Sequence, residues 1–464
     1  VANTQSQFNL VDSVAFQSGS HLMKFGADYR RIGTFNGPRA YDQFAYFNGA
    51  AGATSGLASD VVIDAQDSGS IHFTNLSLYA QDAWKATSRL TLTYGLRWEF
   101  NPPPLGGPGH PLYTFEGYAN PKTIQLAPDG TPMYHASWRN FAPRLGAAYQ
   151  LSRRPGFEAT LRAGFGLFYD LGAGLIGQAA SSFPYYRTLS YYETLYPLPA
   201  AAAQAPPFTL SPPVGSIYGA QGNLMLPVTY QWNLTMQQSL GRSSAISIGY
   251  VAAAGRHLLR QEYFVNPNDN FTYAYLLTNQ AFSNFNSLQV QFQRRLSNGW
   301  QALISYTWSH SLDNASNDSA SYLEALQLNP KLDYGPSDFD IRHTLSAAFT
   351  YALPGRHLLL RNWFFDGVVS LRTATLVDVT YSRDLGFGFY TFRPDLVFGS
   401  PLYLSDSNVA GGRRFNMDAF VLPTQYPGRQ GTLGRNGLRG FPLNQIHFTI
   451  RREFPLVENA KLQF

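Results

Sequence analysis

Between Leu90 and Phe100 the chain reads LTLTYGLRWEF. Leu90, Leu92, Tyr94, Leu96, Trp98 and Phe100 are apolar, and Thr91, Thr93, Gly95, Arg97 and Glu99 fall between them. Successive side chains of a strand point to opposite faces, so strict alternation makes one face oily and the other polar. A soluble sheet turns such a face inward to a core. A membrane barrel turns it outward to lipid.

The pattern recurs. Roughly fourteen alternating segments follow one another in pairs: 6–17 with 21–32, 71–84 with 88–101, 137–151 with 157–170, 226–240 with 244–256, 286–297 with 300–313, 339–353 with 362–375, and 443–455 with a start at 460. The joints within pairs, such as QSGS, KATS, SRRPG and SNG, carry the Gly, Ser, Asn and Pro of hairpin turns. The connections between pairs are long: 33–70, 102–136, 171–225, 257–285, 314–338 and 376–442. Short turn then long loop is the rhythm of an outer-membrane barrel, with tight periplasmic turns and long extracellular loops. Segments of about 12–15 residues also exceed the ordinary soluble strand of about 5–6.

Composition sharpens the choice. Charged residues are only 14% of the 464, while aromatics are 15%. A soluble chain carries nearer a quarter charged residues. No apolar run is long enough for a helical span. The net charge of +5 comes from scattered arginines, which argues against nucleic acid as a partner. With no cysteine there is no disulfide framework, thiolate metal site or thiol nucleophile. The opening VANTQSQFNL has neither a basic stretch nor an apolar run of the signal-peptide kind.

Tryptophan separates lipid-facing from core-facing strands. Trp84, Trp300 and Trp363 each lie within a few residues of a short turn, and Trp98, Trp232 and Trp308 lie a membrane crossing away, about 9–11 strand residues. All six fall on the oily parity, as two girdles would. Trp138 has the wrong parity and stands as the exception.

The other parity then lines a lumen. It carries Lys24, Asp28, Arg30, Arg97, Glu99, Arg144, Arg162, Asp170, Gln289, Gln291, Gln293, Arg342, Asp366 and Arg372. Arginine outnumbers acid, which suits a plug domain or an anionic or sugar-like solute; cross-strand pairing in a wet interior is the plainer alternative. Two loop stretches are dense in aromatics. One holds Tyr185, Tyr186, Tyr191 and Tyr192, the other Tyr41, Phe44 and Tyr46. Tyrosine offers rigid area with a polar tip, apt for stacking on flat ligands. Loops packing on one another is the competing explanation.

Asp313, Asn314, Asn317 and Asp318 present oxygens but lack the spacing of a calcium loop, so turn chemistry is the expectation and no metal is assigned. Asp338, Asp340, Arg342 and His343 read as a loop-to-strand anchor. No nucleophile elbow, zinc-protease motif or P-loop occurs. The expectation is a protein without catalytic activity or cofactor.

Several phrases resemble the barrel part of Oar-like TonB-dependent receptors, outer-membrane proteins with an N-terminal carboxypeptidase-regulatory-like domain. They are LYAQDAWKATSRLTLTYGLRWEF, NFAPRLGAAYQL, LRAGFGLFYD, SLQVQFQRRLSNGWQALISYTWSHSLDN, DYGPSDFDIRHTLSAAFTYALPG and GRNGLRGFPLNQIHFTIRREFPL, in this order along nearly the whole chain. The resemblance implies a plugged barrel of twenty-two strands, uptake coupled to a TonB complex, and a siderophore-like, oligosaccharide or other small-molecule solute. The chain shows no coupling box, plug or regulatory-like domain. It reads as about fourteen of those strands, an all-β antiparallel transmembrane barrel portion in the cell outer membrane, with the lipid bilayer as its first partner. A passive porin-like channel and a loop-mediated adhesion surface are the alternatives.

Overall fold

The computed structural model describes residues 3–317, 330–354, 361–384, 389–423, 429–457 and 460–464. Its principal strands are β1 (Thr4–Ser18), β2 (His21–Asn36), β3 (Arg39–Tyr46), β4 (Leu57–Gln66), β5 (Gly69–Lys85), β6 (Leu90–Phe100), β7 (Asn140–Ser152), β8 (Ala159–Tyr169), β9 (Tyr186–Leu195), β10 (Val214–Ala220), β11 (Val228–Leu240), β12 (Ser244–Asn268), β13 (Phe271–Ser297), β14 (Trp300–Asp313), β15 (His343–Ala352), β16 (Trp363–Arg372), β17 (Leu443–Val457) and β18 (Ala460–Gln463).

Fourteen of these form one antiparallel meander, each strand paired with the next in chain order: β1, β2, β5, β6, β7, β8, then β11 through β18. Every alternating segment read from the sequence is one of them. No pairing joins β1 to β17 or β18 among the described residues. The tight turns use the expected chemistry. Between β13 and β14, Asn298 and Gly299 hold φ of 52° and 82°, the left-handed pair that matches a two-residue turn to strand twist.

The register carries one face across the whole ladder. Residues directly opposite one another share a face. Val14 stands opposite Phe25, Phe25 opposite Ala80, Ala80 opposite Leu96, and Leu96 opposite Pro143. Further along, Leu234 faces Tyr250, Tyr250 faces Leu288, and Leu288 faces Trp308. This apolar face stays open: Leu96 is 47% exposed, Leu145 57%, Leu234 49% and Phe448 58%. Tyr94 is also exposed, and Leu92 and Trp98 are half-buried between neighbours on the same face. A band of this extent is stable only against lipid.

The buried apolar clusters lie instead among the long connections. One gathers Ile71, Phe73, Met133, Tyr134, Leu259 and Leu277, and a second gathers Phe115, Phe183, Val214, Ile217 and Phe271. The parts of the fourteen meander strands between the two tryptophan levels supply none of the residues named. That distribution is the reverse of a soluble sandwich, whose strand centres make the core.

Polar groups on the lipid-facing parity are few, and Asp82 is one of them. Asp82 lies opposite Met23 and Tyr94. Its Oδ2 is 2.6 Å from His21 Nδ1 and accepts the Tyr94 hydroxyl at 2.8 Å. A carboxylate on this face needs such partners, because hydrocarbon supplies none.

Two sequence expectations change. Residues 257–285 are not an irregular loop. β12 and β13 run on as a projecting hairpin of 25 and 27 residues. Register shifts at Gly255/Leu258 and Leu258/Arg260 break the period-2 pattern there, so the strands read as loop. Trp138 is no outlier either. It precedes β7, so strand parity does not bind it. Its ring stacks 4.0 Å from Phe100 and 6.1 Å from Trp98.

Candidate functional site

The polar face begins with rows of directly opposed residues. Lys24, Gln81, Gly95 and Arg144 form one row across β2, β5, β6 and β7; Gly26, Tyr79, Arg97 and Ala142 form the next; Asp28, Ser77, Glu99 and Asn140 the third. The Tyr79 ring lies over Gly26, where a Cβ would come within 2.5 Å of it. Glycine is therefore required at this position for the ring to lie flat.

Arg97 organises the group. Its Nε donates to Glu99 Oε1 at 3.0 Å, and its Nη2 donates to Ser77 Oγ and, at 3.4 Å, to Asp28 Oδ2. Arg30 reaches the same Asp28 carboxylate at 3.9 Å. Arg144 sets its guanidinium 4.5 Å from the Phe168 ring. A cavity of about 450 Å³ opens on this face, lined by Lys24, Asp28, Tyr79, Gln81, Arg97 and Arg144 among others. Counting Lys24, Arg30, Arg97 and Arg144 against Asp28 and Glu99 leaves an excess of two positive charges.

The remaining predicted polar-face residues lie elsewhere. Arg162 and Arg372 occupy one long row through Thr235, Gly249, Gln289, Thr307 and Thr344. Asp366 accepts from Thr350 at 2.6 Å and from Arg451 Nε at 2.7 Å, near the short-turn end. Arg451 is the partner that sequence reading missed. Asp170 follows β8, and its carboxylate accepts its neighbour Leu171 N–H at 2.6 Å. Arg342 precedes β15 and sits at the rim, 2.8 Å from His310 Nδ1 and 3.6 Å from Asp340.

The two aromatic loop stretches meet. β3, β4 and β9 form a three-stranded sheet, although 39–46 and 186–195 are far apart in sequence. Tyr185 is buried, and its hydroxyl donates to the Pro111 carbonyl at 2.8 Å; burial pushes its phenol up to about 12. Tyr186 is half-buried, its phenol raised by burial and by Asp64. Tyr191 packs on Val61 and Ile63. These three hold the loops together. Tyr41, Phe44, Tyr46 and Tyr192 remain exposed, Tyr192 at 70%. Tyr46 and Tyr192 both stand opposite Asp60, so the carboxylate lies between two phenols on one face. Desolvation raises the Asp60 carboxyl above its ordinary range.

A row of tyrosines joins two stretches read as loops, 171–225 and 257–285. Tyr218 stacks on Tyr275 with centroids 4.5 Å apart, Tyr275 lies 5.0 Å from Tyr263, and Tyr263 stacks on Tyr273 at 5.7 Å. Burial, then the charges of Tyr192 and Asp60, raise the Tyr273 phenol. Burial raises the phenols of Tyr218, Tyr273 and Tyr275, which keeps them neutral donors. The alternation in FTYAYLL was the available signal.

A buried charge knot fastens the outer connections. Arg260 Nη2 donates to Asp333 at 2.8 Å and Arg393 Nη1 to the same carboxylate at 3.0 Å. Arg435 donates to Asp313 at 2.6 Å and to Asp338 at 2.9 Å. Asp313 is thus engaged by an arginine, and Asn314 caps backbone, donating to Gln280 O and accepting from Phe282 N; Asp318 lies outside the described residues. Asp340 accepts the Ser311 N–H at 2.8 Å and lies 3.4 Å from Arg439, anchoring the connection to β15. Burial works against its charge, but the Ser311 N–H, the His310 hydrogen bond and the Arg342 charge hold its carboxyl below the usual range.

An apolar band facing lipid, a polar face and ordered long loops define a multi-pass transmembrane β-barrel of the outer membrane. The chain belongs to the family described as outer membrane beta barrel domain, which matches residues 1–464. No curated protein matches it. Among solved structures it is similar to the outer membrane transporter YddB from Escherichia coli, with a TM-score of 0.51 and 13% identity over 85% of this chain and 47% of that one. It is also similar to the FrpB iron transporter from Neisseria meningitidis (TM-score 0.44, 10% identity, 81% of this chain and 43% of that one) and to the copper transporter OprC (TM-score 0.44, 11% identity, 99% and 52%). The chain spans about half the length of these proteins.

Proposed function

We propose that this chain is the barrel portion of a transporter that captures an anionic, flat-ringed small molecule, of the siderophore-like kind, at its outer face. The tyrosine row Tyr218, Tyr275, Tyr263 and Tyr273 is the observation that carries this reading. Phenol faces stack on a flat ring, and neutral hydroxyls donate to its oxygens. The cationic face around Lys24, Arg97 and Arg144 then receives the solute within the barrel. Uptake is coupled to a TonB complex through a plug supplied outside these residues, as the Oar-like phrases suggest. The chain performs no chemistry on its cargo.

The test is uptake of ferric siderophores by cells that depend on this receptor. Tyr263→Ala with Tyr273→Ala is expected to weaken binding at least tenfold, while Arg97→Gln slows passage with binding retained. Uptake that persists after collapse of the energy-coupling system supports the passive channel instead. Adhesion that depends on the loops, with no measurable solute binding, supports the surface reading.

A further inference from the structure

The lipid-facing parity carries few charges, and near the short turns its cationic groups stand against tryptophan. His21 stacks on Trp84 with centroids 5.4 Å apart and rings 8° from parallel. The Arg294 guanidinium lies 4.2 Å from the Trp300 ring. Arg452 lies 5.4 Å from Trp363 and 4.6 Å from Phe454. The far level is built differently: Trp98 stacks on Trp138 and Phe100.

Two of these pairs belong to one continuous belt. Arg294 is on β13 beside Trp300 of β14, Trp300 stands opposite Tyr351 of β15, Tyr351 opposite Phe365 of β16, and Trp363 of β16 opposite Arg452 of β17. Five adjacent strands at roughly 4.8 Å spacing make a belt about 19 Å wide. Immediately beyond it lie the lipid-facing Ile304, Phe349, Phe448 and Ile450.

The charge of Arg294 is not balanced from within. Nη1 donates to Ser244 Oγ and Nη2 to the Ser297 carbonyl, both at 3.2 Å, and no carboxylate pairs with it among the described residues. Two polar-face arginines differ, since Arg97 and Arg451 each hold carboxylates. A guanidinium on neutral partners at the edge of hydrocarbon takes its counter-charge from the headgroup layer.

We propose that the belt from Arg294 through Trp300, Tyr351 and Trp363 to Arg452 is a binding site for anionic phospholipids of the periplasmic leaflet. The Arg294 guanidinium holds a headgroup phosphate, Arg452 packs on Trp363 and Phe454 at the other end of the belt, and the indoles and phenol lie at the glycerol level. The site is independent of any solute.

The experiment isolates the full chain from nanodiscs of equal phosphatidylglycerol and phosphatidylcholine and quantifies the lipid that stays bound. Retained phosphatidylglycerol is expected to exceed phosphatidylcholine, and Arg294→Gln to lower the ratio by about fivefold. Arg256→Gln, level with the outer end of β11, leaves the ratio unchanged. Heat-modifiable migration on gels confirms that each variant is folded, and Arg294→Met serves if Arg294→Gln is not. Equal retention of the two lipids by the parent chain, or an undiminished ratio in a folded variant, overturns the proposal. So does release of the bound phosphatidylglycerol by inorganic phosphate, which marks a free-anion site.

Discussion

The indole Nε1–H of Trp98 donates to the carbonyl of Trp138 at 2.9 Å while their rings stack 6.1 Å apart. The bond ties the outer end of β6 to the segment entering β7, and Phe100 completes the cluster. Replacing Trp138 with alanine removes the stacking surface but keeps the carbonyl acceptor. The loss expected is about 1 kcal/mol, read as a shift in the urea midpoint of the bilayer-inserted protein. Trp138→Phe should recover most of it. An unchanged midpoint for the alanine variant means that the cluster is incidental.

Arg435 and Asp313 are both nearly buried and 2.6 Å apart. Arg435→Ala leaves Asp313 without its ion-pair partner, a change that costs about 3–5 kcal/mol for a buried pair. The damage should be local, because the knot lies among the outer connections. Hydrogen exchange is expected to rise in 330–340 and 429–440 and to stay low in β11 through β14. Uniform loss of protection would place the knot within the cooperative unit of the barrel.

Glu262 gives a pH dependence of defined sign. Burial raises its carboxyl above the ordinary range, and Asp333 adds to this, although Arg260 at 3.1 Å opposes the shift. The folded state therefore favours the protonated acid. Its contribution is fully present below the unfolded value, about 4.3, and is lost as pH rises through the raised folded value. Glu262→Gln should flatten this slope in the exchange rates of the β12–β13 hairpin between pH 4 and pH 7. A steeper slope in the variant would contradict the assignment.

How much of this was legible depended on whether alternation survived. Leu90 to Phe100 keeps strict period, and β6 has the bounds that period gives. The register that extends Leu96 to Phe25 on one side and Pro143 on the other could not be read from either strand alone. The β12–β13 hairpin was lost because each bulge reverses parity, so Tyr263 and Tyr275 did not read as one face. Tyr185 and Tyr192 lie in the same dense stretch, yet one is buried beneath Pro111 and the other is open, a difference set by partners from distant segments. Arg260, Arg393 and Arg435 carry no local pattern at all. Asp333 brings Arg260 and Arg393 together, and Arg435 joins through Asp313 and Asp338.

The direction in which the greasy face points is tested most directly on β14. Ile304 lies midway between Trp300 and Trp308 on the apolar parity, and Ser305 beside it stands opposite Gln291 and Ser346 on the polar one. With the apolar face against lipid, Ile304→Arg should destabilise the bilayer-inserted protein by about 2–4 kcal/mol, the range for a lipid-facing arginine at the midplane. Ser305→Arg should change stability by less than about 1 kcal/mol, since its guanidinium enters a polar lumen. Equilibrium unfolding of the two variants in bilayers measures both. A small effect at Ile304 with a large one at Ser305 would reverse the assignment of the faces and with it the membrane reading.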